Sequence, residues 1–327
     1  MVFVTGASFF TGTLLPIMCV LTACGCFLVG INLMSRGFVQ ASVRSDSFFT
    51  RGFNAKNRFG GAFYGLFHSA LAQSSDVTAV TLVRLADIGT ITLFQACACI
   101  IGANIGTTVT TFIVAGGLNL ANYLSFLAFV GAIPLLSKKR GLKTFGEIVA
   151  GFGILFIGLT LMKTSTENED FRALLNALFS VTESPLLLLA IAAGLTMIVQ
   201  SSSVVTSMVV FLVSGGLLPI ESALCLVVGA NIGTCFTSWI ASFGSSKTAR
   251  QTAMFHTLFN LVGATMFIVV IYTPLNEMFF DAVAAMDGVS AEIKVALFHL
   301  LFNMIAALVM IPLLRPSVWL CKKIVRH

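Results

Sequence analysis

The chain has 327 residues, of which 57% are hydrophobic and only 10% are charged, and its mean hydropathy is +0.98. Soluble domains are about 45–50% apolar and about 25% charged, so this composition predicts a membrane protein with several spans in the lipid bilayer. The formal net charge of +6 is distributed over loops instead of forming one basic stripe, so nucleic acid is not an expected partner.

Seven stretches are apolar and long enough to cross a bilayer, which takes about 20 apolar residues, or about 17 in a compact span. The first lacks the basic start of a secretory signal, because no charge precedes Arg36, and is predicted to be a retained span. The crossings are predicted near residues 12–34, 91–116, 120–137, 145–163, 220–243, 251–272 and 293–314.

Two further apolar stretches, residues 59–72 and 184–199, are too short to cross comfortably. Each ends at a polar block and is followed by a second arm, residues 76–88 and 203–216. Broken helices at membrane depth are tolerated only where they are buried in protein or line a cavity. We therefore predict two re-entrant helical hairpins with their tips near mid-membrane.

The charged residues predict which loops face the cytoplasm, because short loops rich in Lys and Arg stay on that side. Basic loops at residues 138–143, 247–250 and 315–326 are expected inside, and an acidic loop at residues 277–287 is expected outside. Seven crossings then place the N-terminus outside and the C-terminus in the cytoplasm, in the cell (inner) membrane.

The cysteines indicate buried thiols. Seven of the eight lie in apolar stretches, where free Cys behaves as a small hydrophobic residue. The two C-x-C pairs, at residues 24/26 and 97/99, would diverge around a helix and make poor disulfide or metal pairs. No transition-metal site is expected.

The polar blocks belong to an internal repeat with an offset of 127 residues. Gln73-Ser74-Ser75 matches Gln200-Ser201-Ser202, and the letters G-A-N-I-G-T occur at residues 102–107 and again at residues 229–234. Both copies keep the same separation of 29 residues between the two blocks. The sequence therefore predicts a duplicated unit.

A preceding helix extends the repeat and decides its orientation. Residues 27–34 resemble residues 155–162, one residue out of the main register. Five basic residues and one acidic residue follow the first segment up to Arg58, whereas two basic and four acidic residues follow the second up to Glu183. Equivalent points of the two units are therefore predicted to lie on opposite sides of the membrane.

The predicted fold class is an all-α polytopic membrane protein with two inverted-topology repeats, each with a re-entrant helical hairpin and a broken transmembrane helix. The first unit, residues 1–140, comprises a helix, a hairpin, the helix with G-A-N-I-G-T and a linking helix. The second unit, residues 141–327, repeats the first three elements and ends in two C-terminal helices.

The polar tips suit a small oxyanion. A tip exposes backbone N–H groups at the start of its second arm, where the helix dipole attracts an anion. Serine hydroxyls add donors, and Gln offers N–H groups to an anion and a carbonyl to a cation. Two tips that face each other across a pseudo-twofold axis would form a donor-rich cage, and their hydroxyl and carbonyl oxygens also suit Na⁺. The plain alternative is that the serines only hold helices together.

The G-A-N-I-G-T blocks have two interpretations. Their glycines permit close helix approach or local unwinding, while their Asn and Thr side chains supply oxygens for a cation. A packing face of small residues is the alternative, and the two roles are compatible. The residues concerned are Gly102, Asn104, Gly106, Thr107, Gly229, Asn231, Gly233 and Thr234.

A shorter echo, F-H-T-L-F-N at residues 255–260 and F-H-L-L-F-N at residues 298–303, places His and Asn four apart on one helical face. We expect structural hydrogen bonds between helices from these side chains. They are His256, Asn260, His299 and Asn303, while His68 in the first hairpin is left open as a residue near the site.

Asp76 is the main ionisable residue predicted within the membrane, where such residues are costly and usually functional. The second copy has Ser203 at the equivalent position. A carboxylate beside a dianion would repel it, so Asp76 is predicted to serve a cation or a proton. Arg84 and Asp87, near the mouth of the first hairpin, are either interfacial or functional.

The doubled Q-S-S blocks, each followed by G-A-N-I-G-T and then by A-M-F-H-T-L-F-N at residues 253–260, resemble the type II sodium/phosphate cotransporter family, especially its shorter bacterial members. The resemblance covers most of the chain, about residues 20–314. It implies sodium-coupled transport of inorganic phosphate and no enzymatic reaction, with Na⁺ as the coupling ion and no other cofactor.

The resemblance also implies a shared substrate and sodium site at the Q-S-S blocks. The chain departs from the family pattern at Asp76, and at Cys235, which stands where the first copy has Thr108. The expected phosphate-binding residues are Gln73, Ser74, Ser75, Gln200, Ser201, Ser202 and Ser203. The expected sodium-binding residues are Gln73, Ser75, Asp76, Asn104, Thr107, Thr108, Gln200, Ser202, Asn231 and Thr234.

The leading hypothesis is a Na⁺-coupled phosphate symporter that works by alternating access. The alternative is the same fold carrying another small anion, coupled to protons through Asp76, or exporting phosphate. An intramembrane serine hydrolase would need a base beside Ser201 or Ser202, and no His or Lys recurs beside either block. A passive channel and a homodimer stay open, and the expected partners are phosphate, Na⁺ and lipid.

Overall fold

The structure, a computed structural model, describes residues 14–43, 57–169, 172–173 and 184–326. Within these ranges the regular structure is helical and contains no strand. The helices of the first half are α1 (Leu15–Val43), α2 (Arg58–Ala72), α3 (Ser75–Asp87), α4 (Leu93–Gly106), α5 (Thr108–Gly117), α6 (Ala121–Leu124), α7 (Leu127–Leu135) and α8 (Arg140–Thr166). Those of the second half are α9 (Pro185–Val199), α10 (Ser202–Ser214), α11 (Ile220–Gly233), α12 (Cys235–Ser242), α13 (Lys247–Ile271), α14 (Leu275–Ala284), α15 (Ala291–Met310) and α16 (Leu314–Ile324).

Six helical runs in the described residues are long and apolar enough to cross a membrane. They coincide with six of the seven predicted crossings, so the helical, multi-pass character expected from composition is confirmed. The runs are Leu15–Phe38, Leu93–Leu124, Arg140–Ser165, Ile220–Ser242, Lys247–Ile271 and Ala291–Met310.

The segment predicted to cross at residues 120–137 is not one continuous helix. The chain there forms the short helices α6 and α7, separated by a turn at Ser125 and Phe126. The Ser125 hydroxyl donates to the carbonyl oxygen of Asn122 at 2.7 Å, and the backbone N–H of Phe126 donates to the Tyr123 carbonyl at 3.2 Å. These local bonds compete with continued α-helix, and hydropathy alone does not register them.

The helix α7 runs antiparallel along the start of α8. A Cβ added at Gly131 would overlap the backbone of Ala150, and one at Gly146 would lie 2.7 Å from the backbone nitrogen of Leu135. Glycine at both positions allows the two backbones to touch, as is common between membrane helices. The broken segment is thereby held against a long continuous helix.

The helices α1 and α8 contain the matched segments 27–34 and 155–162 and pack directly on each other. A Cβ at Gly30 would lie 2.5 Å from the backbone nitrogen of Leu155, and one at Gly158 would lie 2.7 Å from the carbonyl oxygen of Ala23. The contacts are reciprocal, since Gly30 and Gly158 occupy equivalent places in the two segments. Partner numbers fall along α8 as they rise along α1, so the helices are antiparallel.

The two largest apolar clusters of the described residues join different sets of helices. One contains side chains from α1, α8, α10, α11 and α15, and the other contains side chains from α3, α4, α13, α15 and α16. All eight cysteines are free; five are buried and Cys19, Cys24 and Cys26 are partly exposed. The expectation of buried thiols was therefore wrong for these three cysteines of α1, because one face of that helix is uncovered.

Candidate functional site

The two Q-S-S blocks have the same unusual backbone. Gln73 ends α2 with φ 53° and ψ 26°, and Gln200 ends α9 with φ 56° and ψ 31°. They are the only non-glycine residues with positive φ in the described part of the chain. A left-handed conformation costs a non-glycine residue of order 1–3 kcal/mol, and such strain clusters at functional sites. The next residue, Ser74 or Ser201, is extended and occupies the N-cap position of the following helix.

The blocks lie 127 residues apart in sequence and touch in space. The Ser203 hydroxyl donates to the backbone carbonyl of Gln73 at 3.1 Å, and the Thr110 hydroxyl donates to the same oxygen at 3.2 Å. One tip therefore satisfies a backbone acceptor that the break in the other tip left free. This contact joins the two units at their polar centre.

Asp76 takes part in the equivalent contact on the other side. Its Oδ1 lies 2.9 Å from the Thr237 hydroxyl, which shares its one proton between this oxygen and the Thr234 carbonyl at 2.6 Å. The Ser202 backbone N–H also interacts with the carboxylate. Positions 76 and 203 match in the repeat, as do positions 110 and 237. In each unit, the residue that follows the Q-S-S triplet contacts the other unit. Ser203 donates a hydrogen bond there, whereas Asp76 accepts one.

The two tips differ in exposure. Gln73 is only 3% exposed, whereas Gln200 is exposed and Ser201 is partly exposed. The Ser74 hydroxyl oxygen accepts from the Val77 N–H at 3.2 Å, whereas the Ser201 side chain makes no capping bond. The start of α10 is therefore the more accessible helix N-terminus and the one without a side-chain cap, which favours it as an anion-binding end.

The G-A-N-I-G-T blocks interrupt their helices for one residue, between α4 and α5 at Thr107 and between α11 and α12 at Thr234. Both threonines keep right-handed helical backbone, so the interruption is slight. A Cβ at Gly102 would overlap the carbonyl oxygen of Ala62, and one at Gly229 would overlap that of Leu189. The packing role that the sequence left open is therefore present in both copies.

The polar residues of these blocks are buried and partly unpaired. Asn104 donates from Nδ2 to the Ile100 carbonyl at 2.9 Å, and Asn231 donates to the Val227 carbonyl at 2.8 Å. Asn104 Oδ1 and Thr107 Oγ1 have no hydrogen-bond partner among the described residues. Such buried oxygens cost free energy unless a ligand or water pairs with them.

Two hydroxyls of these helices are already committed elsewhere. Thr108 donates to the Ile105 carbonyl at 2.8 Å, and Thr234 donates to the Asn231 carbonyl at 2.5 Å. The oxygens keep acceptor capacity, because each hydroxyl has further lone pairs. The first copy thus presents more free oxygens than the second.

The two His-Asn motifs contact equivalent positions of the two repeated units. His256 Nδ1 is 2.7 Å from the Ser238 hydroxyl, and His299 Nδ1 is 2.9 Å from the Thr111 hydroxyl. Ser238 and Thr111 are equivalent at the 127-residue offset, so α13 attaches to the second unit and α15 to the first. The expected interhelical hydrogen bonds are confirmed for both histidines and for Asn260, whose Nδ2 donates to Cys235 Sγ at 3.3 Å. The expectation was wrong for Asn303, whose Nδ2 donates to the His299 carbonyl of its own helix at 2.9 Å. His68 Nδ1 lies 2.9 Å from the Thr78 hydroxyl within its own unit.

A cavity of about 150 Å³ lies between α1 and the two tips. It brings together Ser74, Asp76, Gln200 and Ser201 of the expected site. The other expected site residues are buried and do not line the cavity. They are Gln73, Ser75, Ser202, Ser203, Asn104, Thr107, Thr108, Asn231 and Thr234. Asp87, at the mouth of the first unit, instead accepts from the Ser246 backbone N–H at 2.6 Å.

The cavity also has two polar lining residues that sequence reasoning missed, Asn32 and Ser35 of α1. Asn32 lies within the segment matched between the units, where its counterpart is Thr160. A polar side chain at this repeated position of an apolar span was the available signal. The helix contact that brings α1 beside the tips could not be inferred from that position.

Comparison with known proteins identifies the family. The sequence profile described as Na⁺/Pi-cotransporter matches residues 26–164 and, a second time, residues 165–280. The chain belongs to the Na⁺/Pi-cotransporter family. The resemblance deduced from the doubled motifs is confirmed, and the family is one of phosphate transporters.

Individual relatives are more distant. The chain is 26% identical to "Uncharacterized protein YqeW" of Bacillus subtilis, over 73% of this chain and 78% of that protein. It is 25% identical to "Putative inorganic phosphate export protein YjbB" of Escherichia coli, over 80% of this chain and 47% of that protein. A match to "Sodium-dependent phosphate transport protein 2C" of Rattus norvegicus has 37% identity over 30% of this chain and 18% of that protein. No solved structure matches.

Proposed function

We propose that this Na⁺/Pi-cotransporter family member is a sodium-coupled symporter of inorganic phosphate that works by alternating access. The observation that carries the proposal is the contact between the two Q-S-S blocks, in which Ser203 donates to the Gln73 carbonyl. Two polar helix breaks that meet inside an apolar protein form the kind of midplane site used by secondary transporters. The name of the rat relative supplies the coupling ion and the substrate.

The proposed architecture consists of inverted units, residues 1–140 and 141–327. It is supported by the antiparallel, reciprocal packing of α1 on α8 at Gly30 and Gly158. The 15-residue helices α2 and α9 rise about 22 Å, less than the roughly 30 Å hydrocarbon core. In this proposal α2–α3 and α9–α10 are re-entrant hairpins that enter from opposite faces.

The proposed phosphate site is formed by the two tips. The N-terminus of α10 supplies backbone donors, and the exposed Gln200 and partly exposed Ser201 are the side chains that substrate reaches first. Neutral donors suit a small oxyanion because they need no buried counter-charge of their own. The residues are Gln73, Ser74, Ser75, Gln200, Ser201, Ser202 and Ser203.

The proposed sodium ligands are oxygens of both tips and of the adjoining helices. Support comes from buried oxygens without a partner among the described residues, which include Gln73 Oε1, Asn104 Oδ1, Thr107 Oγ1 and Asp76 Oδ2. Unpaired acceptors of this kind gain free energy when a cation binds. The complete proposed set adds Ser75, Thr108, Gln200, Ser202, Asn231 and Thr234.

Phosphate export is a second candidate for direction, favoured by the printed name of the Escherichia coli relative. A symporter of this kind runs either way according to the gradients across the membrane. Proton coupling through Asp76 is the corresponding alternative for the driving ion, because its carboxylate is buried between the two units. Both alternatives keep the same site.

Transport into proteoliposomes tests the proposal. An inward Na⁺ gradient is expected to drive accumulation of labelled phosphate above equilibrium, whereas an equal K⁺ gradient is not. Gln200→Ala and Ser202→Ala should each abolish uptake, because each removes a polar group at the start of α10. Ser214→Ala, an exposed serine at the other end of the same helix, is the matched control and should transport normally.

Three outcomes would contradict the proposal. Uptake that ignores Na⁺, or that prefers sulfate or an amino acid, would reject the coupling ion or the substrate. A pH gradient that drives uptake at fixed Na⁺ would favour proton coupling, and Asp76→Asn should then remove it. Phosphate release from preloaded vesicles, without any uptake into empty ones, would establish export.

A further inference from the structure

The cavity between α1 and the tips has an unusual balance of charge. Its polar lining side chains are Asn32 and Ser35 from α1, Ser74 and Asp76 from the first tip, and Gln200 and Ser201 from the second. One carboxylate is present, and no Lys, Arg or His lines the cavity. A dianion that entered alone would face the carboxylate without a compensating cation, so the lining suits a positive ligand, which would screen Asp76 from phosphate held at Gln200 and Ser201.

The carboxylate retains an unused acceptor. Asp76 is only 6% exposed, and its Oδ1 already accepts from Thr237 at 2.9 Å. Its Oδ2 is buried and has no hydrogen-bond partner among the described residues. A buried carboxylate oxygen without a partner is costly, and either a proton or a bound cation offsets that cost.

The neutral side chains around it present oxygens as well. Asn32 uses its Nδ2 on the Leu28 carbonyl at 2.8 Å, so the amide oxygen is the group left for a ligand. The Ser201 hydroxyl makes no capping bond to its own helix. Hydroxyl, amide and carboxylate oxygens are the ligands that hard cations prefer.

We propose that this cavity is a Na⁺ site in which Asp76 supplies the charge and α1 supplies two of the ligands, Asn32 and Ser35. The inference rests on the proposed function and deepens it, because it adds a third element, α1, to a site otherwise assigned to the two tips. Ser74, Gln200 and Ser201 complete the oxygen set. Asn32 is exposed and lies at the entrance, whereas Asp76 lies at the buried end.

The duplication does not produce a second copy of this site. In the other unit the carboxylate is replaced by Ser203, whose hydroxyl is spent on the Gln73 carbonyl. Asn32 corresponds to Thr160, whose hydroxyl donates to Asn122 Oδ1 at 3.2 Å, and Ser35 corresponds to Lys163. A basic residue at that position would oppose a cation. The site is therefore expected once per chain.

Equilibrium binding of ²²Na⁺ to the purified full chain, without phosphate, tests the proposal. Asp76→Asn should weaken Na⁺ binding by about tenfold or more, because one charge-assisted contact accounts for at least that factor. Asn32→Leu and Ser35→Ala should each weaken it by roughly three- to tenfold, as for the loss of one neutral ligand. Thr160→Val is the matched control, since it alters the equivalent position of α8 outside the cavity, and it should bind Na⁺ like the wild type.

Binding and transport separate this inference from the proposed function. Unchanged Na⁺ affinity in Asn32→Leu and Ser35→Ala would overturn the α1 site, even if sodium-driven phosphate uptake by the wild type stood. Absence of Na⁺ binding by the wild type would also overturn it. Phosphate uptake that ignored Na⁺ would instead reject the coupling, while lost binding in the α1 variants would still support the site. Unfolding temperatures near that of the wild type would show that each variant is folded.

Discussion

Gln73 and Gln200 are the residues at which backbone strain and proposed function coincide. Each adopts a left-handed conformation that glycine would adopt more cheaply, and each ends a 15-residue helix at a polar tip. Retaining glutamine at such a position is costly unless the side chain contributes something that glycine lacks. The amide group, with both donor and acceptor capacity, is that contribution.

Replacing Gln200 by Gly separates strain from function. Gln200→Gly should leave the free energy of unfolding unchanged or raise it by up to about 1 kcal/mol, because glycine tolerates φ 56°. Phosphate uptake should nevertheless be lost with the amide. Thermal unfolding in detergent and uptake in proteoliposomes measure the two effects. Retained uptake would show that only the backbone break matters.

A glycine at positive φ is the contrasting control. Gly216 has φ 66° and open space around it, so Gly216→Ala should lose about 1 kcal/mol of stability through backbone strain alone. A stability loss in Gln200→Gly similar to that of Gly216→Ala would contradict the strain argument.

At the scale of elements, glycines set how closely the helices of each unit approach. Gly102 packs on Ala62 of α2, and Gly229 packs on Leu189 of α9. The two pairs are equivalent at the 127-residue offset, so the same backbone contact is built twice. In lipid, close packing of this kind takes the place of the hydrophobic effect as the force between helices. It positions the helix ends that form each tip.

A pair of glycine substitutions tests that packing. Gly229→Ala should destabilise the protein by about 1–3 kcal/mol, because the new Cβ would overlap the Leu189 carbonyl. Gly194→Ala lies on the partner helix α9 with no atom within 4 Å of its Cβ, and should stabilise that helix by up to about 1 kcal/mol. Thermal unfolding in detergent micelles compares them, and equal shifts would contradict the packing role.

At the scale of the whole molecule, the question is how the units lie relative to the membrane. The basic loops predict that the turns before α8 and α13 face the cytoplasm, and the acidic segment predicts that the turn before α15 faces outside. The structure contributes the antiparallel contact between α1 and α8. The loop charges and this contact together favour two units of inverted topology. Measuring which loops face each side of the membrane tests that arrangement.

Cysteine labelling on intact cells measures sidedness. In a chain without its native cysteines, Leu136→Cys and Phe243→Cys should resist a membrane-impermeant maleimide, while Asp287→Cys should react. Leu136 and Phe243 are 88% and 92% exposed, so burial within the protein would not account for their protection. Labelling of both in permeabilised cells is the control. Reaction of Leu136→Cys on intact cells would contradict the proposed orientation.

Much of the helical framework could be predicted from the sequence. The expected hairpin arms at residues 59–72 and 184–199 match α2 and α9 within one residue at each end. Such boundaries follow from local causes, namely polar breakers and the length of apolar runs. Residues 120–137 differ, because the chain there forms two short helices with a turn at Ser125 and Phe126, whereas hydropathy treats the run as continuous.

The candidate site could be predicted only in part. The repeat indicated which residues matter, and the structure brings Ser74, Asp76, Gln200 and Ser201 to one cavity. It did not indicate that Asn32 of α1 also lines that cavity, or that Gln73 is buried while Gln200 is exposed. Identical residues in the two repeated units do not indicate which unit exposes them to the cavity.

The sequence by itself determined that this is a helical membrane protein of the Na⁺/Pi-cotransporter family with a duplicated polar block. Those properties depend on composition, on short breaks and on a repeated spacing, all of which are local or periodic. Only the tertiary structure decided that Ser203 pairs with Gln73, that Asp76 keeps a free oxygen, and that α1 lines the cavity. These depend on side-chain packing between distant segments, where two matched units with different residues at positions 76 and 203 cannot pack identically.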